Sequence, residues 1–273
     1  MNFLSRWRWG RSVADAGAVY VSEKFGVRSL HIASDTIQSS MRIARPNDLE
    51  LAYTRSMMGF LLFHPRPRRM LLVGLGGGSL AKFIYHRMPE AVSEVLEINP
   101  DVVSIARRYF QVPASDERFT IRVCDGAEFI ARDGPSYDAI LVDGYDGDSL
   151  VGELSSRAFF ENCLRRLDAG GVLVVNLWGN DRRFDQFLHR IESAFPGATL
   201  CLPAEKPGNV IVFAFRDSPG TVEWDALSRK AGELEARYGL EFGRFVQALN
   251  KMNRSSRECL FMGPAVVEGR ENA

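Results

Sequence analysis

The stretch MLLVGLGGGSLAKFIYHRMPEAVSEVLE, residues 70–97, decides the fold. It opens with an apolar run that suits a strand buried on both faces. Four glycines follow that run: Gly74, Gly76, Gly77 and Gly78. They allow the backbone to turn sharply and to approach a ligand closely. A helix predicted from Ser79 and a second strand that ends at Glu97 complete a unit of strand, turn, helix and strand.

The glycine turn and Glu97 together predict a nucleoside site. The free N–H groups at the start of the predicted helix, and its positive dipole end, face any ligand on the glycines. Glu97 follows the turn by about 20 residues, where a carboxylate accepts both hydroxyls of a ribose. The spacing GxGxGS is shared by proteins that bind NAD, FAD and S-adenosylmethionine, and such a turn also serves as a plain tight connection. Glu97 alone is equally consistent with a solvated surface acid, so the prediction depends on a second nucleoside contact.

The composition is that of a globular protein with a substantial core. The chain has 273 residues, of which 46% are hydrophobic, enough for one large domain or for one domain with a small appendage. The 34 basic and 34 acidic side chains balance, so no overall field attracts nucleic acid or an anionic membrane surface. The four cysteines lie far apart without a CxxC pair, which predicts neither a disulfide framework nor a zinc site. No apolar run approaches the length of a membrane span, and we expect a cytoplasmic location.

Alternating strand and helix patterns predict the fold class. Residues 18–44 contain three short β-branched runs that suit a small antiparallel β module, and a helix is predicted after them with Asn47 or Asp48 as its N-cap. Helices and strands then alternate through residues 100–195, which indicates a parallel sheet with helices on both faces. Two runs at 198–202 and 210–215 suit an antiparallel pair at the sheet edge. We expect an α/β fold with an N-terminal β module, residues 1–46, and a doubly wound domain, residues 47–273.

Four successive strands are predicted to end at Gly74, Glu97, Asp125 and Asp143. In an open α/β sheet, ligands bind outside the carboxyl ends of the strands, so these residues form one group. Asp125 suits an acceptor for an adenine amino group, and Gly126 after it allows close approach of the backbone. Asp125 also suits the N-cap of the next helix, and the two roles are compatible.

The segment DGYDGDSLVGEL, residues 143–154, begins at Asp143 and places four acids in one loop. Their spacing does not match an EF-hand, and no metal site is expected. Carboxylates also hold cationic substrates. A primary amine with a pKa of about 10 must lose its proton before its nitrogen attacks carbon, and a nearby carboxylate accepts that proton.

Segments spread along most of the chain carry a resemblance to a known family. In chain order they read SEKFG, TIQSS, LELAY, HPRPRRMLLVGLGGGSL, EVLEINPDVV, DERFTIRVCDGAEFI, YDAILVDGYDGD and AFFENCLRRLDAGGVLVVN. Together they resemble the polyamine aminopropyltransferase (spermidine synthase) family. The resemblance implies a Rossmann-like domain of the S-adenosylmethionine-binding type behind an N-terminal β domain, in a homodimer or homotetramer. It implies transfer of an aminopropyl group from decarboxylated S-adenosylmethionine to a diamine or polyamine, with no tightly bound cofactor.

The resemblance also assigns roles to residues. Glu97 would bind the ribose of the nucleoside and Asp125 its adenine. The glycines are predicted from the turn itself: we expect the backbone at Gly74, Gly76, Gly78 and Gly126 to approach the nucleoside. Asp143 would be the general base. Gln38, Tyr53 and Asp146 match family residues that bind the amine substrate. Glu205 is not such a match, because it stands where the family has a Tyr, but we expect its carboxylate to contact the amine as well.

Some positions depart from the family pattern. Gly77 stands where the family has an acid that contacts the substrate amines, Thr54 replaces a His, Asn176 a Gln, and Glu205 a Tyr. Gly77 leaves room for the carboxylate of intact S-adenosylmethionine. Two alternatives therefore remain open: an S-adenosylmethionine-dependent methyltransferase, and a non-catalytic protein that binds a nucleoside.

Overall fold

The computed structural model describes residues 19–32, 35–146, 149–150, 152–205 and 208–264. Its first element is a three-stranded antiparallel sheet in the order β1, β2, β3. The strands are β1 Val19–Lys24, β2 Val27–Ile32 and β3 Ile37–Arg42. Leu30 and Met41 on the inner face of this sheet join the main hydrophobic core. The sheet therefore packs against the rest of the protein, and a domain boundary after residue 46 stays a prediction.

The helix that follows the small sheet starts later than the sequence predicts. It begins as α1, Ala52–Met57, and tightens into a 3-10 helix, Met58–Leu62. Leu51, whose side chain makes no capping hydrogen bond, stands at the N-cap in place of Asn47 or Asp48. Asp48 lies in a preceding turn, where its N–H donates to the Arg45 carbonyl at 3.2 Å. The predicted N-cap is wrong because this turn keeps Asn47 and Asp48 outside the helix.

A seven-stranded, mostly parallel sheet forms the centre of the protein and confirms the predicted α/β class. Its spatial order is β11, β12, β10, β7, β4, β5, β6. The strands are β4 Arg69–Val73, β5 Val92–Glu97, β6 Phe119–Val123, β7 Tyr137–Val142, β10 Leu167–Trp178, β11 Thr199–Pro203 and β12 Asn209–Phe215. β12 runs antiparallel to both β10 and β11, so the predicted antiparallel edge is also present.

Helices cover both faces of the central sheet. They are α2 Ser79–Arg87, α3 Pro100–Tyr109, α4 Gly126–Ala131, α5 Arg157–Arg166 and α6 Phe184–Ala194. Side chains of β10 alternate between two buried clusters: Val174 belongs to one, and Leu173 and Val175 belong to the other. This alternation explains why the central strands read as continuous apolar runs.

The remaining elements complete the edges of the fold. A two-residue pair, β8 Tyr145–Asp146 and β9 Ser149–Leu150, follows β7 and leads into a 3-10 helix, Glu153–Ser155. The C-terminal elements are β13 Thr221–Glu223, α7 Trp224–Tyr238, α8 Phe242–Leu249 and β14 Cys259–Phe261. Within the ranges given above, no helix has the length and apolar character required to cross a bilayer.

Candidate active site

A cavity of about 770 Å³ lies at the carboxyl ends of β4 to β7, where the sequence places the ligand. Its floor is formed by the loops after these strands, and one wall by β3 and α1. The predicted site residues that line it are Gln38, Tyr53, Gly74, Gly76, Glu97, Asp125, Gly126 and Asp143. Residues from six segments of the chain are therefore brought together at one edge of the sheet.

The glycine turn is required by its contacts. Gly74 has a φ of +98°, and a Cβ at this position would lie 2.3 Å from the backbone oxygen of Asp143. Gly78 has a φ of +69° and forms the N-cap of α2. A Cβ on Gly78 would lie 2.3 Å from Val112 Cγ2, and Gly78 does not line the cavity. Gly74 thus allows the turn and the Asp143 strand to touch, while Gly78 serves helix packing.

Glu97 is half-buried and oriented by two backbone hydrogen bonds. Its Oε2 accepts from the Leu75 N–H at 2.9 Å, and its Oε1 accepts from the Asn99 N–H at 2.9 Å. The carboxylate is therefore fixed against the glycine turn. Each oxygen can accept a further hydrogen bond, which suits a pair of vicinal hydroxyls.

Asp125 caps helix α4, as one of its two predicted roles requires. Its Oδ1 accepts from the N–H groups of Ala127 at 2.7 Å and Glu128 at 3.1 Å. Gly126 lies directly against β4, because a Cβ there would come within 2.6 Å of Val73 Cγ1. Both of these bonds go to Oδ1, so Oδ2 can accept a ligand amino group within the cavity.

Asp143 lies where β7 ends and is held by two side chains. Asn176 Nδ2 donates to its Oδ1 at 2.8 Å. The Tyr53 hydroxyl also hydrogen-bonds this carboxylate and lies 3.2 Å from the backbone oxygen of Gln38. Burial raises the pKa of Asp143 above its ordinary value, and the hydrogen bonds from Asn176 and Tyr53 oppose that rise. A carboxylate with a raised pKa is suited to accept a proton.

Two amides support Asp143 without being among the residues predicted to bind ligand, although Asn176 is one of the departures from the family pattern near the acceptor pocket. Asn176 is only 2% exposed, and its Oδ1 accepts from Asn209 Nδ2 at 2.9 Å. Both side chains line the cavity together with Trp178. The signal for Asn176 is present in the sequence as a polar residue inside the apolar strand VLVVNLW. Asn209 has no such signal, because only the pairing of β10 with β12 brings it near.

Glu205 and Asp146 are the two remaining predicted substrate contacts. Glu205 is exposed, forms an ion pair with Arg244 at 3.2 Å and does not line the cavity. Asp146 lies in β8, and its side chain is outside the described part of the structure. Their proposed contacts with substrate stay predictions.

Gly77 packs tightly rather than opening the cavity. A Cβ at this position would lie 2.7 Å from Ser39 Oγ and 2.9 Å from Phe110 Cδ1. Gly77 does not line the cavity either. The expectation that Gly77 leaves room for a donor carboxylate is therefore not supported by the packing, because Ser39 and Phe110 occupy that space.

No group of three or more His, Cys, Asp or Glu side chains able to hold a metal ion occurs among the residues that the structure describes. The four cysteines are free thiols.

Comparisons with known proteins identify the family. The family described as "Spermine/spermidine synthase domain" matches residues 50–216. A polyamine aminopropyltransferase of Chromobacterium violaceum is 48% identical over 238 residues, which are 87% of this chain and 91% of that protein. A probable spermidine synthase structure from Corynebacterium glutamicum has a TM-score of 0.67 and 21% identity, and the match covers 81% of this chain and 86% of that one.

A human methyltransferase-like protein 13 in complex with SAH has a TM-score of 0.60 and 22% identity, over 72% of this chain and 93% of that one. At these low identities, the two structural matches establish the shared fold alone. The fold therefore does not distinguish a methyltransferase from an aminopropyltransferase.

Proposed function

Because the chain belongs to the spermine/spermidine synthase domain family, we propose that it transfers the aminopropyl group of decarboxylated S-adenosylmethionine to a diamine or polyamine. The observation that carries the proposal is the convergence of three carboxylates in one cavity beside the glycine turn: Glu97, Asp125 and Asp143. Two of them suit the nucleoside, and the third suits the amine.

The nucleoside half of the donor occupies the β4, β5 and β6 side of the cavity. Glu97 accepts hydrogen bonds from the ribose hydroxyls, and Asp125 accepts one from the adenine amino group. Gly74 and Gly76 keep the turn free of side chains beside the ligand. This arrangement directs the sulfonium toward Asp143.

The acceptor amine binds at Asp143, between Tyr53 and Asn176. Its nitrogen attacks the aminopropyl carbon attached to sulfur. The new N–C bond forms as the C–S bond breaks, and the bonding pair goes to sulfur, which leaves as neutral methylthioadenosine. Asp143 takes a proton from the ammonium form of the amine before the attack, which frees the nitrogen lone pair. Gln38 and Tyr53, together with Asp146 and Glu205, are the proposed amine contacts.

A second candidate is methyl transfer from intact S-adenosylmethionine. The fold that this chain shares with the human methyltransferase-like protein is compatible with either transfer, so this candidate stays open. In that reaction the same sulfonium loses its methyl group and S-adenosylhomocysteine is released. The two candidates thus differ in the nucleoside product.

The test is to incubate the protein with each donor and a panel of diamines and polyamines, and to identify the products by mass spectrometry. We expect methylthioadenosine and an amine heavier by one aminopropyl group, with Asp143→Asn as the inactive control. S-Adenosylhomocysteine would identify a methyltransferase. Nucleoside binding without either product would identify a non-catalytic protein. Sedimentation would test the predicted homodimer or homotetramer.

A further inference from the structure

A chain of two amides supports the carboxylate of Asp143 from the side away from the nucleoside. Asn209 Nδ2 donates to Asn176 Oδ1 at 2.9 Å, and Asn176 Nδ2 donates to Asp143 Oδ1 at 2.8 Å. Asn176 lies inside β10 and Asn209 at the start of β12. The three side chains therefore form one linear relay across three strands of the sheet.

The charge of Asp143 sets the direction of this relay. An ionised carboxylate only accepts hydrogen bonds, so Asn176 must present its NH₂ group to Asp143. The carbonyl oxygen of Asn176 then points the other way, and it needs a donor because the side chain is only 2% exposed. Asn209 supplies that donor.

The backbone around Asn209 is held closely against β10. The Gly179 N–H donates to the Gly208 carbonyl at 2.7 Å. Asn209 is paired with Trp178 in the antiparallel register of β10 and β12. The donor is thus fixed by the sheet.

We propose that Asn209 is a positioning residue for the reaction: it locks Asn176 in one amide orientation, and Asn176 in turn aims and stabilises the ionised carboxylate of Asp143. The inference rests on the proposed function insofar as Asp143 is the base. It adds that the orientation of the Asp143 carboxylate depends on Asn209, an amide that does not contact Asp143 itself.

Asp143 shares its cavity with other titratable groups, and any pH profile contains their contributions. They are Tyr53 from α1, Glu97 at the end of β5, Cys124 and Asp125 after β6, and Glu153 in the 3-10 helix. The relay is therefore tested by comparing the pH profiles of variants whose substitutions change no charge.

The central variant is Asn209→Leu, which has nearly the shape of Asn but no donor. We expect kcat to fall about five- to twentyfold, with little change in the affinity for methylthioadenosine. The acidic limb of the profile of kcat/KM against pH should move upward by about 0.5–1 unit, because the carboxylate loses its fixed donor. Asn209→Gln, which keeps an amide donor, should restore part of the loss. Asn180→Ala removes an exposed amide near Gly208 and is the matched control.

A double-mutant cycle tests whether Asn209 acts through Asn176. If it does, Asn209→Leu has little further effect in an Asn176→Leu background. Additive losses in the cycle would overturn the proposal. A rise in the amine KM with an unchanged pH profile would also overturn it, because Asn209 would then be a direct substrate contact.

A readout without catalysis separates this inference from the proposed function. In ¹³C-labelled protein, the carboxyl resonance of Asp143 is assigned by its absence in Asp143→Asn, and its titration is compared in wild type and Asn209→Leu. An upward shift in the variant supports the relay even if no aminopropyl transfer is found, in which case the proposed function alone fails. Identical titrations in wild type, Asn209→Leu and Asn180→Ala would refute the relay.

Discussion

Lys82 is completely buried in α2, and its charge makes the stability of the protein depend on pH. Its Nζ donates to the carbonyl oxygens of Pro46 and Phe110 at 2.7 Å each and contacts Met41 Sδ at 3.1 Å. No ion pair to Lys82 occurs within the described parts of the chain. Burial lowers the pKa of Lys82 from 10.5 to about 8.

The sign of the effect follows from the number of bound protons. Below pH 8 both the folded and the unfolded chain carry the proton, and the folded state bears the full cost of the buried charge. Between about pH 8 and 10.5 the unfolded chain binds a proton that the folded chain lacks, so stability rises with pH. At about 1.4 kcal/mol for each pKa unit, the whole shift corresponds to roughly 3 kcal/mol.

The assay is urea unfolding of wild type and Lys82→Met at a series of pH values from 7 to 10. Other groups act in the opposite direction, since burial raises the pKa of the Cys163 and Cys201 thiols and that of Tyr137 to about 12. Their contributions are common to both proteins and cancel in the difference. We expect the free energy of unfolding of wild type to rise relative to that of the variant by about 1 kcal/mol for each pH unit above 8. Lys251→Met, at an exposed position, is the control. A difference that stays constant from pH 7 to 10 would refute the reasoning.

Three further predictions concern the site. Glu97→Gln should weaken methylthioadenosine binding at least tenfold, because a charge-assisted acceptor contributes roughly 1.5–3 kcal/mol; unchanged affinity in calorimetry would contradict this role. Asp143→Asn should still bind the nucleoside but lower turnover by about 10²–10⁴-fold. The wild-type rate should rise with pH through the raised pKa of Asp143. Retention of more than roughly a tenth of the activity in Asp143→Asn would exclude Asp143 as the base. Gly77→Ala should lower the stability by about 1–3 kcal/mol, and less in a Ser39→Ala background, because its Cβ would lie 2.7 Å from Ser39 Oγ; equal losses in thermal melts of both backgrounds would contradict this contact.

The fold and the nucleoside side of the cavity follow from local sequence patterns. Gly74, Glu97 and Asp125 each occur at the end of a predicted strand, and the carboxyl ends of neighbouring parallel strands meet at one edge. The sequence order of these strands therefore predicts that the three residues converge. The family predicted from the motifs is confirmed by the matched domain and by the similar aminopropyltransferase.

The support behind Asp143 could not be predicted in the same way. Asn209 approaches Asn176 only because β12 pairs with β10 in one particular register, and that register depends on many side chains far along the chain. The environment of Gly77 is a similar case, because Ser39 comes from the small N-terminal sheet. The N-cap of α1 is Leu51 and not Asn47 or Asp48, because two successive turns, from Arg42 to Arg45 and from Arg45 to Asp48, keep those residues outside the helix.

The packing at Gly77 changes how selection between the two donors has to be explained. With Ser39 and Phe110 filling the space beside Gly77, the discrimination must come from groups that do line the cavity. In the proposed arrangement, Glu97 and Asp125 face the nucleoside, whereas Asp143 lies where the tail of the donor meets the amine. Its negative charge would attract an aminopropyl ammonium and repel the carboxylate of intact S-adenosylmethionine. We therefore expect wild type to prefer the decarboxylated donor in competition binding, and Asp143→Asn to reduce that preference by about three- to tenfold. The same preference in both proteins would show that Asp143 does not select the donor.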